Sequence, residues 1–297
     1  MPKRCNVPDN KTTQSIDRGE LNKAKFYVGE ADAEMDLYRT QLGAVAASTI
    51  GCREKDGPNE DSAAIVPVGE QYLVLIVADG VGGLAGARKA SNLTVKKIRQ
   101  AVKGIDEANG KKLRTAILDG IEAANQAVLD LGTNSASTLA LAEIGPGYVR
   151  TYHVGDSILF LCGQRGYIKL QTTPHSPVGF AMEAGLINET EALQHAELNL
   201  IFNVIGSTDM RIEIGSELPM TPRDTLMLAS DGLTDNVMQD EIVQIIRKGP
   251  LTAAIRSLTE LAQDRMNSQA DNQPSKPDDF TALLFRQNPP RRVRKHS

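Results

Sequence analysis

Tryptophan is absent from the 297 residues, and aromatic side chains make up only 4% of them. Base stacking on single-stranded nucleic acid depends on such rings, so that class of recognition is excluded. Cysteine is scarce: Cys5, Cys52 and Cys162 are odd in number and scattered. They offer neither a disulfide framework nor a metal-type spacing, and a reducing compartment is expected. Long apolar runs are missing too. No stretch approaches the roughly 20 residues of a membrane span, and the polar start lacks a signal-peptide core. Neither sign of charge dominates, with 33 Lys+Arg against 37 Asp+Glu and a formal net charge of −4. No nucleic-acid footprint therefore covers the chain. The expectation is a soluble, cytoplasmic monomer that uses neither nucleic acid nor membrane.

Familiar nucleotide and acyl-transfer signatures are lacking as well. There is no Gly-x-x-x-x-Gly-Lys-Ser/Thr phosphate loop, no dinucleotide fingerprint, no Gly-x-Ser-x-Gly elbow and no EF-hand loop. What is present is a repeated construction. Residues 73–78, Leu-Val-Leu-Ile-Val-Ala, form an apolar, partly β-branched run, short enough for a strand buried on both faces. The run stops at Asp79, and Gly80, Gly82 and Gly83 follow. Those glycines permit a tight turn or a close approach of backbone to a ligand. An Asp-Gly turn alone is common. Here it recurs at Asp231-Gly232 after residues 226–230, while Asp156 lies in a Gly-flanked turn and Asp278-Asp279 precede residues 280–285. Four acidic strand edges in one chain point to one shared site.

Residues 1–43 are mostly polar and read as an extension, partly disordered at its start, with a short helix possible over 30–42. Strands are expected over 44–52, 63–68 and 73–78, as antiparallel neighbours because the connections are short. Apolar positions at helical spacing give helices over 86–102 and 111–131. Residues 137–144, 148–154, 158–162 and 167–170 read as a meander, and 172–206 as an irregular flap with a short helix near 189–195. Strands over 211–214 and 225–230, helices over 240–248 and 251–266, and a last strand over 280–286 complete the domain, 44–288. Residues 289–297 form a basic tail. Two helix pairs and two groups of strands suit an α+β fold, a four-layer α-β-β-α sandwich with two central antiparallel sheets.

Glu60, Asp61, Asp79, Asp156, Asp231 and Asp278 are short, hard oxygen donors with no Cys or His cluster beside them. Such a set suits Mg²⁺ or Mn²⁺. Gathering these carboxylates without a cation would be costly, because like charges repel. Two cations about 3.5–4 Å apart can lower the pKa of a water and orient it for in-line attack on phosphorus. That plan hydrolyses phosphate esters without a Ser or Cys nucleophile.

The order Asn59-Glu60-Asp61, Asp79-Gly80-Val81-Gly82-Gly83, Ser137-Thr138, Val154-Gly155-Asp156-Ser157, Ser230-Asp231-Gly232-Leu233-Thr234-Asp235 and Asp278-Asp279-Phe280-Thr281 resembles the metal-dependent Ser/Thr protein phosphatases of type 2C, in their compact bacterial branch. The resemblance covers roughly residues 44–286 and implies the sandwich already reached by counting elements. It implies that Asp79 bridges two metals, that Glu60 and the Gly80 carbonyl serve one, and that Asp231 and Asp278 serve the other with Asp61 in its hydration shell. Asp156 with Asp231 would hold a weaker third ion. Arg53 is the candidate phosphate-binding group, although residues 55–58 lengthen its distance from Asn59. Val81 stands where animal-type members carry a His, and Asp279 stands where an Asn is usual. His153 and His175 are read as structural. The implied substrates are phosphorylated proteins, and a Ser/Thr kinase is an implied partner. An inactive regulator that keeps the fold and a small-molecule phosphatase are the alternatives.

Overall fold

The apolar runs become strands with both faces covered, which explains why they read as continuous rather than alternating. The computed structural model describes residues 23–28, 33–52, 57–82, 85–105, 110–268 and 274–289. Its strands are β1 (Lys25–Tyr27), β2 (Ala33–Arg39), β3 (Gly43–Ile50), β4 (Ser62–Val68), β5 (Tyr72–Ala78), β6 (Gly80–Val81), β7 (Ala136–Ser137), β8 (Leu139–Gly145), β9 (Tyr148–Val154), β10 (Ile158–Cys162), β11 (Ile168–Gln171), β12 (Glu213–Ile214), β13 (Leu218–Pro219), β14 (Thr225–Ala229) and β15 (Phe280–Gln287). The helices are α1 (Ala85–Val102), α2 (Gly110–Leu129), α3 (Pro177–Glu183), α4 (Glu189–Leu193), α5 (Asp231–Thr234), α6 (Gln239–Ile246) and α7 (Leu251–Met266).

One sheet has seven strands in the order β1-β4-β5-β8-β9-β12, with β13 also on β9; the other has six, in the order β11-β10-β14-β15-β3-β2. The short β6 and β7 pair with each other. Three apolar cores mark three interfaces between four layers. Leu73, Leu75 and Val77 of β5 meet Leu226, Leu228, Leu283 and Phe285 of the other sheet. The alternate residues Val74, Ile76 and Ala78 face Ile98 of α1 and Ile117 and Ile121 of α2. On the far side, Met227, Phe280 and Leu284 pack on Ile242 and Ile246 of α6 and on Ile255 and Leu258 of α7. The expected α-β-β-α sandwich is what the chain forms.

The connectivity corrects three expectations. β3 is not a neighbour of β4: it pairs with β2 and β15 in the six-stranded sheet, whereas β4 lies in the seven-stranded one. The meander is likewise broken, because β8 and β9 lie in one sheet and β10 and β11 in the other, with residues 155–157 making the crossing. A strand buried on both faces fits either sheet equally well, so its apolar pattern carries no information about which sheet receives it. Finally, residues 33–39 are a strand rather than a helix, since β2 completes the hydrogen bonding along the edge of β3. Together with β1, paired to β4, it lengthens both sheets beyond the boundary expected at residue 44. Residues 1–22 and the tail from 290 lie outside the described residues.

The register brings the acids to one end of the sandwich. Ser62 is opposite Ala78, and Val154 is opposite Leu139. In the second sheet, Ile158 and Ala282 are both opposite Ala229, while Phe280 is opposite Ile50. The residues just outside these pairs include 61, 79, 156, 230, 231 and 279.

Candidate metal centre

Hydrogen bonds from neighbouring backbone and hydroxyl groups fix the segments that carry Asp61, Asp79 and Asp278. The Asp79 N–H donates to Thr138 Oγ1 at 3.0 Å, and its C=O accepts from the Thr138 N–H at 2.9 Å. Thr138 Oγ1 is 2.6 Å from Ser157 Oγ, which couples the Asp79 strand end to the turn holding Asp156. Gly80 has no room for a side chain: a Cβ there would lie 2.4 Å from the Ala87 carbonyl oxygen and 2.9 Å from that of Glu60. That crowding lets α1 begin directly against the strand end. Ser91 of α1 then donates to the Glu60 carbonyl at 2.5 Å.

The crossing segment before β4 is tied down in the same way. The Asp61 N–H donates to Asn59 Oδ1 at 2.9 Å, and Asn59 Nδ2 donates to Thr49 Oγ1 at 3.0 Å. Asp61 is buried, and its Oδ2 accepts from Ser230 Oγ at 2.7 Å. Ser230 in turn accepts from the Thr281 N–H at 3.0 Å. Asp279, also buried, accepts the Cys52 N–H on Oδ1 at 2.7 Å and the Glu60 N–H on Oδ2 at 2.9 Å. Both of its oxygens are therefore engaged in holding the crossing segment. Its neighbour Asp278 accepts the Asp279 N–H at 2.8 Å and turns its other oxygen towards Lys276. Gly232 completes the packing: a Cβ there would lie 1.9 Å from the Asp279 carbonyl oxygen, so only glycine lets α5 rest on that strand start.

The electrostatics show which groups are together. Burial raises the Asp79 pKa well above the ordinary carboxylate range, and the charges of Asp61, Asp231, Asp156 and Asp278 raise it further. Asp61 is pushed up to about 7 by burial and then by Asp279. Asp156 is raised by burial, by Asp231 and by Asp235, against the opposing effect of Lys276. Asp235, at the C-terminal end of α5, reaches about 7 through burial and the charge of Asp231. Five of the sequence-predicted acids thus share one site. Glu60 is placed beside it by its backbone, and Arg53 lies outside the described residues.

Asp61 Oδ1 and Asp156 Oδ1 are buried with no hydrogen-bond partner. Unpartnered, buried, hard oxygen atoms among crowded carboxylates are what a hard divalent cation satisfies. The donor set fits Mg²⁺ or Mn²⁺. A cavity of about 510 Å³ opens from Asp156, Asp231 and Asp235 and continues beneath the flap, between Val178 and Met182 of α3, Leu193 of α4 and Ile242 of α6.

A second cluster is of a different kind. His153, His175 and Glu213 bring their side-chain donors within 4.8 Å of one another. His175 Nδ1 accepts from the Gly155 N–H at 3.1 Å and from Asn203 Nδ2 at 2.8 Å. The Asn203 amide is oriented by Arg211, whose N–H donates to Asn203 Oδ1 and whose C=O accepts from Nδ2. With Nδ1 an acceptor, the proton lies on Nε2, 3.0 Å from Glu213 Oε2. His175 thereby clasps the Asp156 turn to the base of the flap and offers no free lone pair to a cation. Burial, and then His175, lower the His153 pKa to about 3 and keep that ring neutral. The hydrogen bonds of His175 support the structural role expected of it, whereas both ring nitrogens of His153 are buried without a hydrogen-bond partner.

Sequence reasoning missed Asp235 and Lys276 and left Asp279 without a role. Asp235 closes the Ser230–Asp235 motif without a role being read for it, and Lys276, two residues before Asp278, had only that proximity as a signal. Thr138, quoted only as part of a motif, is buried and also orients Asp79.

The protein phosphatase 2C family matches residues 51–274. The serine/threonine phosphatase stp of Listeria welshimeri is 27% identical over 238 residues, covering 77% of this chain and 90% of that protein. The structure of the S. agalactiae serine/threonine phosphatase superposes with a TM-score of 0.71 at 24% identity, over 82% of this chain and 99% of the other. The catalytic domain of the serine/threonine protein phosphatase PstP, solved in complex with 2 manganese ions, does so with a TM-score of 0.65 at 24% identity, over 82% and 97%.

Proposed function

The chain belongs to the protein phosphatase 2C family, and from that premise we propose how its own residues carry out the metal-dependent hydrolysis of phosphoserine and phosphothreonine esters in proteins. Asp79, Glu60 and the Gly80 carbonyl, with Asp231 and Asp278, hold two Mg²⁺ or Mn²⁺ ions. Asp156 and Asp231 hold a third, weaker one. When bound, the ions acidify a water and neutralise the phosphoryl oxygens. The observation that carries this assignment is the convergence on Asp79: the charges of Asp61, Asp231, Asp156 and Asp278 all act on its buried carboxylate.

The protein's part is to hold those oxygens still before substrate arrives. Thr138 fixes Asp79, Ser230 fixes Asp61, and Asp279 fixes the Glu60 backbone. Such preorganisation avoids reorganisation during reaction, which is where electrostatic catalysis gains most. No side chain acts as nucleophile, so no phosphoenzyme forms. The side chain next to the phosphorylated residue enters the cavity beneath α3, and Arg53 helps to hold the phosphate.

Purified protein is expected to hydrolyse phosphothreonine peptides and p-nitrophenyl phosphate with Mn²⁺, and to lose both activities in excess chelator and in Asp231→Asn. Activity that survives both treatments refutes the assignment. Sugar and nucleotide phosphates turned over faster than phosphopeptides would make this a small-molecule phosphatase. Protein that binds Mn²⁺ without any turnover would be an inactive regulator. The phosphorylated proteins include, on this reading, a Ser/Thr kinase.

A further inference from the structure

Lys276 places its ammonium among the acids. Its Nζ is 2.7 Å from Asp231 Oδ2, 2.6 Å from Asp235 Oδ2 and 3.6 Å from Asp278 Oδ2. Two of these three residues, Asp231 and Asp278, are assigned to metal above. A cation already stands where carboxylates assigned to a divalent ion converge.

Its backbone has no freedom to retreat. The Lys276 N–H donates to Asn236 Oδ1 at 2.8 Å, and its C=O accepts from Asn236 Nδ2 at 2.9 Å. Asn236 is fully buried, and its amide also donates to the Gly232 carbonyl at 2.9 Å, one residue from Asp231. Ser275, the residue before, donates to the Arg265 carbonyl at 2.8 Å, and Pro277 follows with its fixed φ. These contacts involve no charge at the acids, so the lysine is presented to them whether or not an ion is bound. Only its side chain can move. That side chain is 24% exposed, which leaves it a way out to solvent.

An ammonium and a divalent cation cannot share the same carboxylate oxygens, because like charges repel and each needs those lone pairs. We propose that Lys276 is a built-in counter-cation that competes with a divalent ion for Asp231 and Asp278. Loading of the ion assigned to Asp231 and Asp278 then requires one lysine side chain to swing out. This rests on the metal assignment given above. It adds that divalent binding at Asp231 and Asp278 is weakened by this chain's own lysine.

Calorimetric Mn²⁺ titration of the full chain and of Lys276→Gln tests the idea alongside acylation of Lys276 by an amine-reactive reagent, read by mass spectrometry. Lys276→Gln should bind Mn²⁺ at least tenfold more tightly than the unaltered protein, while Lys276→Arg keeps the original isotherm. In the unaltered protein, acylation of Lys276 should be slow in chelator and several-fold faster at saturating Mn²⁺, since release from the carboxylates frees the amine. The labelling needs no variant to fold. A Lys276→Gln isotherm superimposable on the original, or labelling indifferent to Mn²⁺, overturns the role of the lysine alone. If the unaltered protein takes up no Mn²⁺ at all, the metal assignment itself fails.

Discussion

Asp278 and Asp279 carry the same side chain on adjacent residues, yet they work in opposite directions. Asp278 faces Lys276 and the acid cluster, whereas Asp279 turns back to accept two backbone N–H groups. Asp279→Ala would leave those two donors without their carboxylate, a loss of about 1–3 kcal/mol for buried groups. It should lower stability in urea by that order and reduce kcat through displacement of Glu60. Asp79→Asn should act differently, removing activity by two orders of magnitude or more while the metal-free protein becomes no less stable, because a crowded buried charge is gone. The acids also set a pH dependence. Asp61 and Asp235 have folded pKa values of about 7, above the ordinary value near 3.8. Between about pH 4 and pH 7 the folded state therefore binds more protons than the unfolded state, and stability falls as pH rises through that window. In chelator the melting temperature should be higher at pH 5.5 than at pH 7.5. Saturating Mn²⁺ should abolish or reverse the difference, because bound cations favour the ionised carboxylates. A chelated protein that melts at a higher temperature at pH 7.5 would contradict the raised values.

At the scale of elements, the site depends on close approaches that only glycine permits. Gly80 lets α1 abut the end of β5, and Gly232 lets α5 rest on the start of β15. Gly80→Ala should push α1 away from Glu60, whose carbonyl Ser91 holds. Activity should fall more than tenfold, with weakened Mn²⁺ binding in calorimetry. The flap is the other decisive element. Its far end is stitched to β7 by the Ile205 and Ser137 backbones, while α3 and α4 roof the cavity beside the acids. Met182→Trp, which fills that cavity, should raise KM for phosphopeptides several-fold and leave p-nitrophenyl phosphate hydrolysis unchanged. Equal effects on both substrates would remove the cavity from peptide recognition.

For the whole molecule, stability and chemistry reside in separate regions. The three apolar cores lie between layers, and the acids lie beyond the strand ends. Ile121 of α2 is fully buried in the helix-facing core. Ile121→Ala should cost about 2–5 kcal/mol in denaturant titration and leave the kcat of the remaining folded protein unchanged. Among the described residues no helix is long and apolar enough to cross a membrane.

The sequence by itself determined most of the elements, the layer count and the identity of most of the acids. Strand and helix periods are local properties, and an Asp after an apolar run is visible wherever the run lies. Asp61, Asp79, Asp156, Asp231 and Asp278 were legible for that reason. Tertiary structure alone decided which sheet each strand joins. β3 and β4 are adjacent in sequence but lie in different sheets, and so do β9 and β10. Strands apolar on both faces carry no label for their partner, and edge pairing turned residues 33–39 from an expected helix into β2. Those crossings bring Asp61 and Asp156 to the same end of the sandwich as Asp79 and Asp231. The roles of Asp235, Lys276 and Asp279 were also decided there. A charge in a loop reads the same whether it faces water, a backbone N–H or another charge, and only the packed chain distinguishes them.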